Sequence, residues 1–140
     1  MRLTSLEAGK YTIFAEIIKD KDGNDIVGVL DELKRFEKMY EKHIKGFAAL
    51  FTRFSISGKA GQPAKVFHLA DSGDKIYEFI KGPLRLLCFF TDAGDAVILS
   101  HCEIKKGQKL SSKALNRARK LKNQYHLDFK AGNISIEAQP

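Results

Sequence analysis

Five side chains of this chain, Lys81, Arg85, His101, Lys105 and Lys109, are of types that act together on a phosphate. Lys and Arg supply cations, with Arg able to grip two phosphate oxygens at once, and His exchanges a proton near neutral pH. Four more cations, Lys106, Lys113, Arg117 and Lys120, follow as candidate nucleic-acid contacts. Lys105 to Lys122 holds eight Lys or Arg and no acid, in a chain whose formal net charge is +7. Without those eight, the 24 basic residues fall to 16 against 17 acids, so one segment carries the whole surplus. A patch of one sign steers a polyanion toward itself. Nucleic acid is the leading partner and an acidic protein surface the alternative.

Elements that position these residues follow from hydrophobic period. Ile76 to Lys81, Leu84 to Phe90 and Ala96 to Ile104 are strand-length apolar runs separated by Gly82-Pro83 and by Thr91-Asp92-Ala93-Gly94-Asp95, which predicts an antiparallel meander. Pairing Phe90 with Ala96 sets Arg85 opposite His101 and Lys81 opposite Lys105. Leu84, Leu86, Cys88, Phe90, Ile98, Cys102 and Ile104 then form the core face, and Lys81, Arg85, His101 and Lys105 share the other. A one-residue slip keeps those four together, because side-chain direction follows parity.

Leu110, Ala114, Ala118, Leu121 and Tyr125 give the apolar stripe of a final basic helix capped by Ser111 or Ser112, with Lys113, Arg117 and Lys120 outward. A first turn holding Lys113 and no acid opposes the helix dipole, at a cost of about 0.3 to 1 kcal/mol. Earlier in the chain, Tyr11 to Ile18 reads as a strand closed by a turn at Asp20 to Asn24. From Ile26 to Phe54 the apolar spacing is helical, with Asn24 or Asp25 as cap and a break expected between Phe36 and Gly46. Asp31 with Arg35 and Glu41 with Lys45 fit helical ion pairs. Ser55 to Pro63 is expected to be a loop.

The chain is long enough for one core, and residues 1–140 are expected to form a single domain of α+β class. No apolar run approaches the roughly 18 residues of a spanning helix, and no leader-like segment opens the chain, so no membrane association and a cytoplasmic location are expected. Cys88 and Cys102 lie in apolar runs and read as buried reduced thiols. No zinc-type spacing of Cys or His occurs, so neither a metal nor another cofactor is expected. His43 and His68 lie within apolar patterns and read as packed or capping histidines. Gly58-Lys59-Ala60-Gly61 lacks the ending of a phosphate loop.

Ile76-Tyr77-Glu78-Phe79, Gly82-Pro83-Leu84-Arg85-Leu86, Phe89-Phe90, then His101 and Lys105-Lys106-Gly107-Gln108-Lys109 before a basic helix, form an ordered series. It resembles the RelE/ParE toxin superfamily, most of all its HigB-like, phage-derived branch. The resemblance is specific from Asp74 to Leu121 and holds only in pattern from Tyr11 to Phe54. It implies a RelE-like fold: N-terminal strand, helical pair, antiparallel β-meander and C-terminal basic helix. It also implies the toxin of a type II toxin–antitoxin system, a ribosome-dependent, metal-independent mRNA endoribonuclease whose partners are mRNA on the ribosome and a cognate helix-turn-helix antitoxin.

Such cleavage uses the substrate's own 2′-OH and needs a base, an acid and cations against the developing phosphorane charge. Lys81, Arg85, His101, Lys105 and Lys109 are the residues that the resemblance puts in those roles. Ile80 stands where this branch commonly has Arg, with Lys81 its nearest substitute, and Ser111-Ser112 replace a Thr-Pro. Tyr125 and His126 stand near the place of a C-terminal catalytic Tyr or His, although Tyr125 also completes the apolar stripe. A ParE-like toxin acting on gyrase, or an inactive nucleic-acid or protein-binding module of the same fold, are the alternatives.

Overall fold

The computed structural model describes residues 1–107 and 109–140, so Gln108 of the basic run lies outside the described residues. Strands β1 (Arg2–Glu7), β2 (Thr12–Lys19) and β3 (Asp25–Val27) precede helix α1 (Gly28–Ser57). Strands β4 (Phe67–Asp71), β5 (Ile76–Lys81), β6 (Leu84–Phe90) and β7 (Ala96–Ile104) then lead to helix α2 (Ser112–Lys130) and a short β8 (Ser135–Ile136). The main sheet runs β4-β5-β6-β7-β2-β1-β8, with β3 paired to the end of β2. The β2–β7 and β1–β8 pairs are parallel and the others antiparallel.

This is the α+β class, and the three meander strands fall on the expected residues. Strands β1, β3, β4 and β8 are additions to the expected order. The three residues of β3 occupy the place expected for a helix cap: Asp25 is a strand residue paired with Lys19, and Val27 precedes α1 with no capping side chain. Asp25 is held there by charge, because Arg2 donates to both of its oxygens at 2.8 and 2.7 Å. The Asp20 to Asn24 turn forms as expected, with Asp20 Oδ1 accepting from the Asp22 and Asn24 amides.

Helix α1 covers one face of the sheet and α2 the other. Under α1, Phe47, Phe51 and Phe54 pack with Phe67, Tyr77, Phe79, Leu84, Leu86, Cys88, Val97 and Leu99. Under α2, Ala118 and Tyr125 pack with Leu3, Ile76, Leu87, Phe89 and Ile98. The helical path of α1 is interrupted at Tyr40 (φ −129, ψ 32), inside the interval where a break was expected. Its two arms meet around one apolar hollow lined by Leu30, Leu33, Ile44, Phe47 and Phe51. The Asp31–Arg35 and Glu41–Lys45 pairs form at 3.2 and 2.8 Å. The expected loop begins later than the sequence suggested: the helix continues to Ser57, and Lys59–Gly61 make a 3-10 turn.

Register departs from expectation in an instructive way. The two-residue Gly82-Pro83 turn pairs Lys81 with Leu84 and Ile80 with Arg85, so Lys81 shares a face with the even residues of β6. Phe90 pairs with Val97 rather than Ala96, and Arg85 with Glu103 rather than His101. Between those pairs β7 carries a bulge, Ser100 and His101 together standing opposite Leu87. Parity therefore reverses along β7: Val97 and Leu99 face α1, while Ile98, expected on one core face with Leu84, Leu86, Cys88 and Cys102, faces α2.

Phe54 is fully buried and its ring lies 5.3 to 6.2 Å from those of Tyr11, Phe67, Phe79 and Phe90. Phe54→Ala should lower unfolding free energy by about 3 to 5 kcal/mol, read by urea denaturation. Arg2 also donates to Glu137 and so lowers the Glu137 carboxyl from 4.5 to about 2, while its bonds to Asp25, with that of Lys19, lower the Asp25 carboxyl. Carboxyls depressed in the folded state stabilise it above their unfolded values. Stability measured against pH should therefore fall between about 4.5 and about 2, and Arg2→Met should flatten that fall.

Candidate nucleic-acid interface

On the α2 side of the sheet, the lower halves of β5, β6 and β7 present Glu78, Arg85 and Glu103. Arg85 is largely enclosed, its side chain 14 % exposed. Its Nη1 donates to the carbonyls of Gly82 and Leu84 at 2.7 and 3.1 Å, so the tight turn that precedes β6 also orients its guanidinium. Nε points at Glu78 Oε1 across 3.8 Å.

Glu78 itself is a carboxylate inside the sheet, 2 % exposed. Its Oε1 lies 3.0 Å from His68 Nε2 on β4, and its Oε2 has no hydrogen-bond partner among the described residues. Burial pushes the Glu78 carboxyl above its ordinary range, against the pull of His68, Arg85 and Lys105. Lys105 closes this corner from the segment after β7, where its amide donates to the Pro83 carbonyl at 2.8 Å.

His101 occupies a different setting from the one its position in sequence suggested. The bulge turns it beneath α2, where it is fully buried and hydrogen-bonded through Nδ1 to Ser100 Oγ at 2.8 Å and through Nε2 to Glu103 Oε1 at 2.9 Å. Burial, followed by the Arg117 cation, holds its imidazole below the usual value. A neutral ring that accepts from Ser100 and donates to Glu103 satisfies both contacts. Lys81 is likewise displaced, since the tight turn sends its stem to the α1 side against Gly46. The expected common face of Lys81, Arg85, His101 and Lys105 is thus reduced to Arg85 and Lys105.

Seven of the eight cations of the basic run divide into two groups, and the eighth, Lys105, is half-buried. Arg117 binds Glu32 at 2.8 Å, Arg119 binds Asp71 and Asp74 at 3.2 and 2.6 Å, and Lys122 donates to the Asp74 carbonyl. These three fasten α2 to α1 and to the β4–β5 turn. Arg117, a candidate nucleic-acid contact by sequence, is an ion-paired residue. Lys106, Lys109, Lys113 and Lys120 are exposed and make no ion pair among the described residues. Lys105, Lys106 and Lys109 line a recess with Glu103, Leu110 and Ser111. That recess opens at the start of α2, where Ser111 Oγ accepts from the Ala114 amide at 3.1 Å as the expected cap. Helix amides left free at such an end add partial positive charge to that of the lysines.

Tyr125 is 4 % exposed and packs on Phe89, so it belongs to the α2 core. His126 faces Asp92 at 3.5 Å, at the opposite end of α2 from the lysines. Cys88 and Cys102 are buried free thiols, and burial pushes Cys102 up to about 12. Glu78 was passed over in the sequence, and His68, read there as packed or capping, is half-exposed and paired with it. The available signal was a lone acid in the otherwise apolar run Ile76 to Ile80, facing a histidine in the next apolar run.

Glu32 accepts the Cys102 amide at 3.1 Å as well as Arg117. Glu32→Ala strands a strand amide inside the sheet and should cost about 1 to 3 kcal/mol in urea denaturation. Glu32→Gln, which keeps an acceptor, should recover part of the loss.

Comparison with known proteins covers most of this architecture. Residues 31–123 match the family model described as Phage derived protein Gp49-like (DUF891), a segment running from the first turn of α1 into α2 and including Glu78, Arg85 and the lysines. No curated protein matches the chain.

Proposed function

The chain belongs to the Gp49-like phage-derived family, within the RelE/ParE toxin-like superfamily, and on that premise we propose that it is a HigB-like toxin of a type II pair that cleaves mRNA on the ribosome. The observation that carries this reading is the cluster of lysines that make no ion pair among the described residues, Lys105, Lys106 and Lys109 in the recess at the start of α2 and Lys113 in its first turn. Such an array binds a phosphate backbone with little regard to sequence, which suits an enzyme whose substrate is positioned by the ribosome.

In this reading the substrate supplies its own nucleophile. The 2′-oxygen attacks the adjacent phosphorus, and charge grows on the non-bridging oxygens as it does so. Lys105 and Lys109, with Arg85 behind them, offset that charge, which is the part of catalysis that fixed cations perform best. Lys106, Lys113 and Lys120 extend the backbone contact along α2. A helix-turn-helix antitoxin is the partner that silences the toxin, and an acidic segment laid over the lysines is the charge complement they invite.

In a purified translation system, mapping of mRNA 5′ ends should reveal cuts that need both ribosome and protein. Lys106→Ala, Lys109→Ala and Lys113→Ala combined should reduce cleavage by about tenfold or more and weaken its salt dependence, without lowering the thermal transition, because all three are exposed and Lys113 opposes the α2 dipole. Intact mRNA accompanied by inhibition of DNA supercoiling would move the target to gyrase.

A further inference from the structure

His68 and Glu78 are direct cross-strand partners on β4 and β5, and their contacts count the protons they hold. A carbonyl only accepts, so His68 Nδ1, 3.0 Å from the Ala64 oxygen, carries a hydrogen. A second hydrogen must lie between Nε2 and Glu78 Oε1, which are 3.0 Å apart. Two arrangements satisfy both contacts: an imidazolium beside a carboxylate, or a neutral ring beside a carboxylic acid. Each holds one proton more than a neutral ring beside a carboxylate.

The outlet for that proton is the ring. Glu78 is 2 % exposed and His68 39 %. The Nδ1 contact with Ala64 lies at the surface, where an ester oxygen can replace the carbonyl. Besides His68, the charged groups that act on Glu78 are Arg85 from β6 and Lys105 from the segment after β7.

We infer that His68 is the general acid of RNA cleavage, giving its Nδ1 hydrogen to the leaving 5′-oxygen, and that Glu78 is the positioning residue that holds its ring. The inference rests on the ribonuclease reading. As the 2′-oxygen bonds to phosphorus its proton passes to solvent water, the bond from phosphorus to the 5′-oxygen breaks, and that oxygen takes the Nδ1 hydrogen. The products are a 2′,3′-cyclic phosphate and a free 5′-hydroxyl. Both starting arrangements end alike, with a neutral ring whose Nε2 hydrogen points at an ionised Glu78. The buried Oε2 of Glu78, without a partner among the described residues, is a cost that this role explains.

The test is single-turnover cleavage on ribosomes carrying a short synthetic mRNA, with either oxygen or sulfur at the bridging 5′ position of the cut. A thiolate leaves without a proton. His68→Gln and His68→Ala should lose about 10²- to 10⁴-fold on the oxygen substrate and cut the sulfur substrate at close to the wild-type rate. Glu78→Gln removes the anion behind the imidazolium, so the alkaline limb of the pH–rate profile should move to lower pH. Equal losses on both substrates in a variant with the wild-type melting transition, or no loss on the oxygen substrate, overturn the assignment to His68 alone. A wild-type protein that cuts neither substrate overturns the ribonuclease reading and this inference with it.

Discussion

One extra residue in β7 governs much of this molecule. Because Ser100 and His101 together stand opposite Leu87, the strand changes which of its residues face each helix. Before the bulge Val97 and Leu99 point at α1; after it Cys102 does so. An irregular ladder leaves an amide to satisfy, and Glu32 near the start of α1 accepts it. The same carboxylate holds Arg117 of α2. A single side chain thus joins the sheet to both of its helices at the point where the sheet is least regular. The bulge also takes His101 into the interior and brings Glu103 opposite Arg85, which sets the composition of the surface beside α2.

The basic segment serves two purposes that its charge count conceals. Arg117, Arg119 and Lys122 reach back to acids and a carbonyl and hold α2 in place. Lys106, Lys109, Lys113 and Lys120 project into solvent. The first group is screened by its partners and contributes little field outside the protein. The second concentrates potential at the start of α2, where helix amides add to it. A helix start crowded with like charge weakens the helix, and a phosphate ligand would relieve that repulsion.

Glu78 shows the opposite economy. A carboxylate placed between Phe79 and Tyr77, in a strand whose other faces are apolar, is costly to bury and is only half satisfied by His68 and Arg85. An apolar residue would fill that position with less strain on stability. Departures of this kind from local consistency concentrate where a fold carries chemistry. In this sheet the departure lies beside Arg85 and within the family-matched segment.

How much was legible follows from the range of the forces involved. The bounds of β5, β6 and β7, the cap at Ser111, the apolar stripe through Tyr125 and the interval of the α1 break are set by period, turn residues and neighbours within a few positions. The sequence alone determines these because the physics is local. The face on which Lys81 falls depends on the span of the Gly82-Pro83 turn, and the setting of His101 depends on the bulge in β7. The short strands β1, β3 and β8 exist through pairing with distant segments and ion pairs such as Arg2 with Asp25 and Glu137. Which cations are spent on Glu32, Asp71 and Asp74, and which remain for a ligand, is decided only when residues far apart in the chain meet. Parity and charge pairing are cooperative properties of the assembled sheet, so the site they create belongs to the tertiary structure.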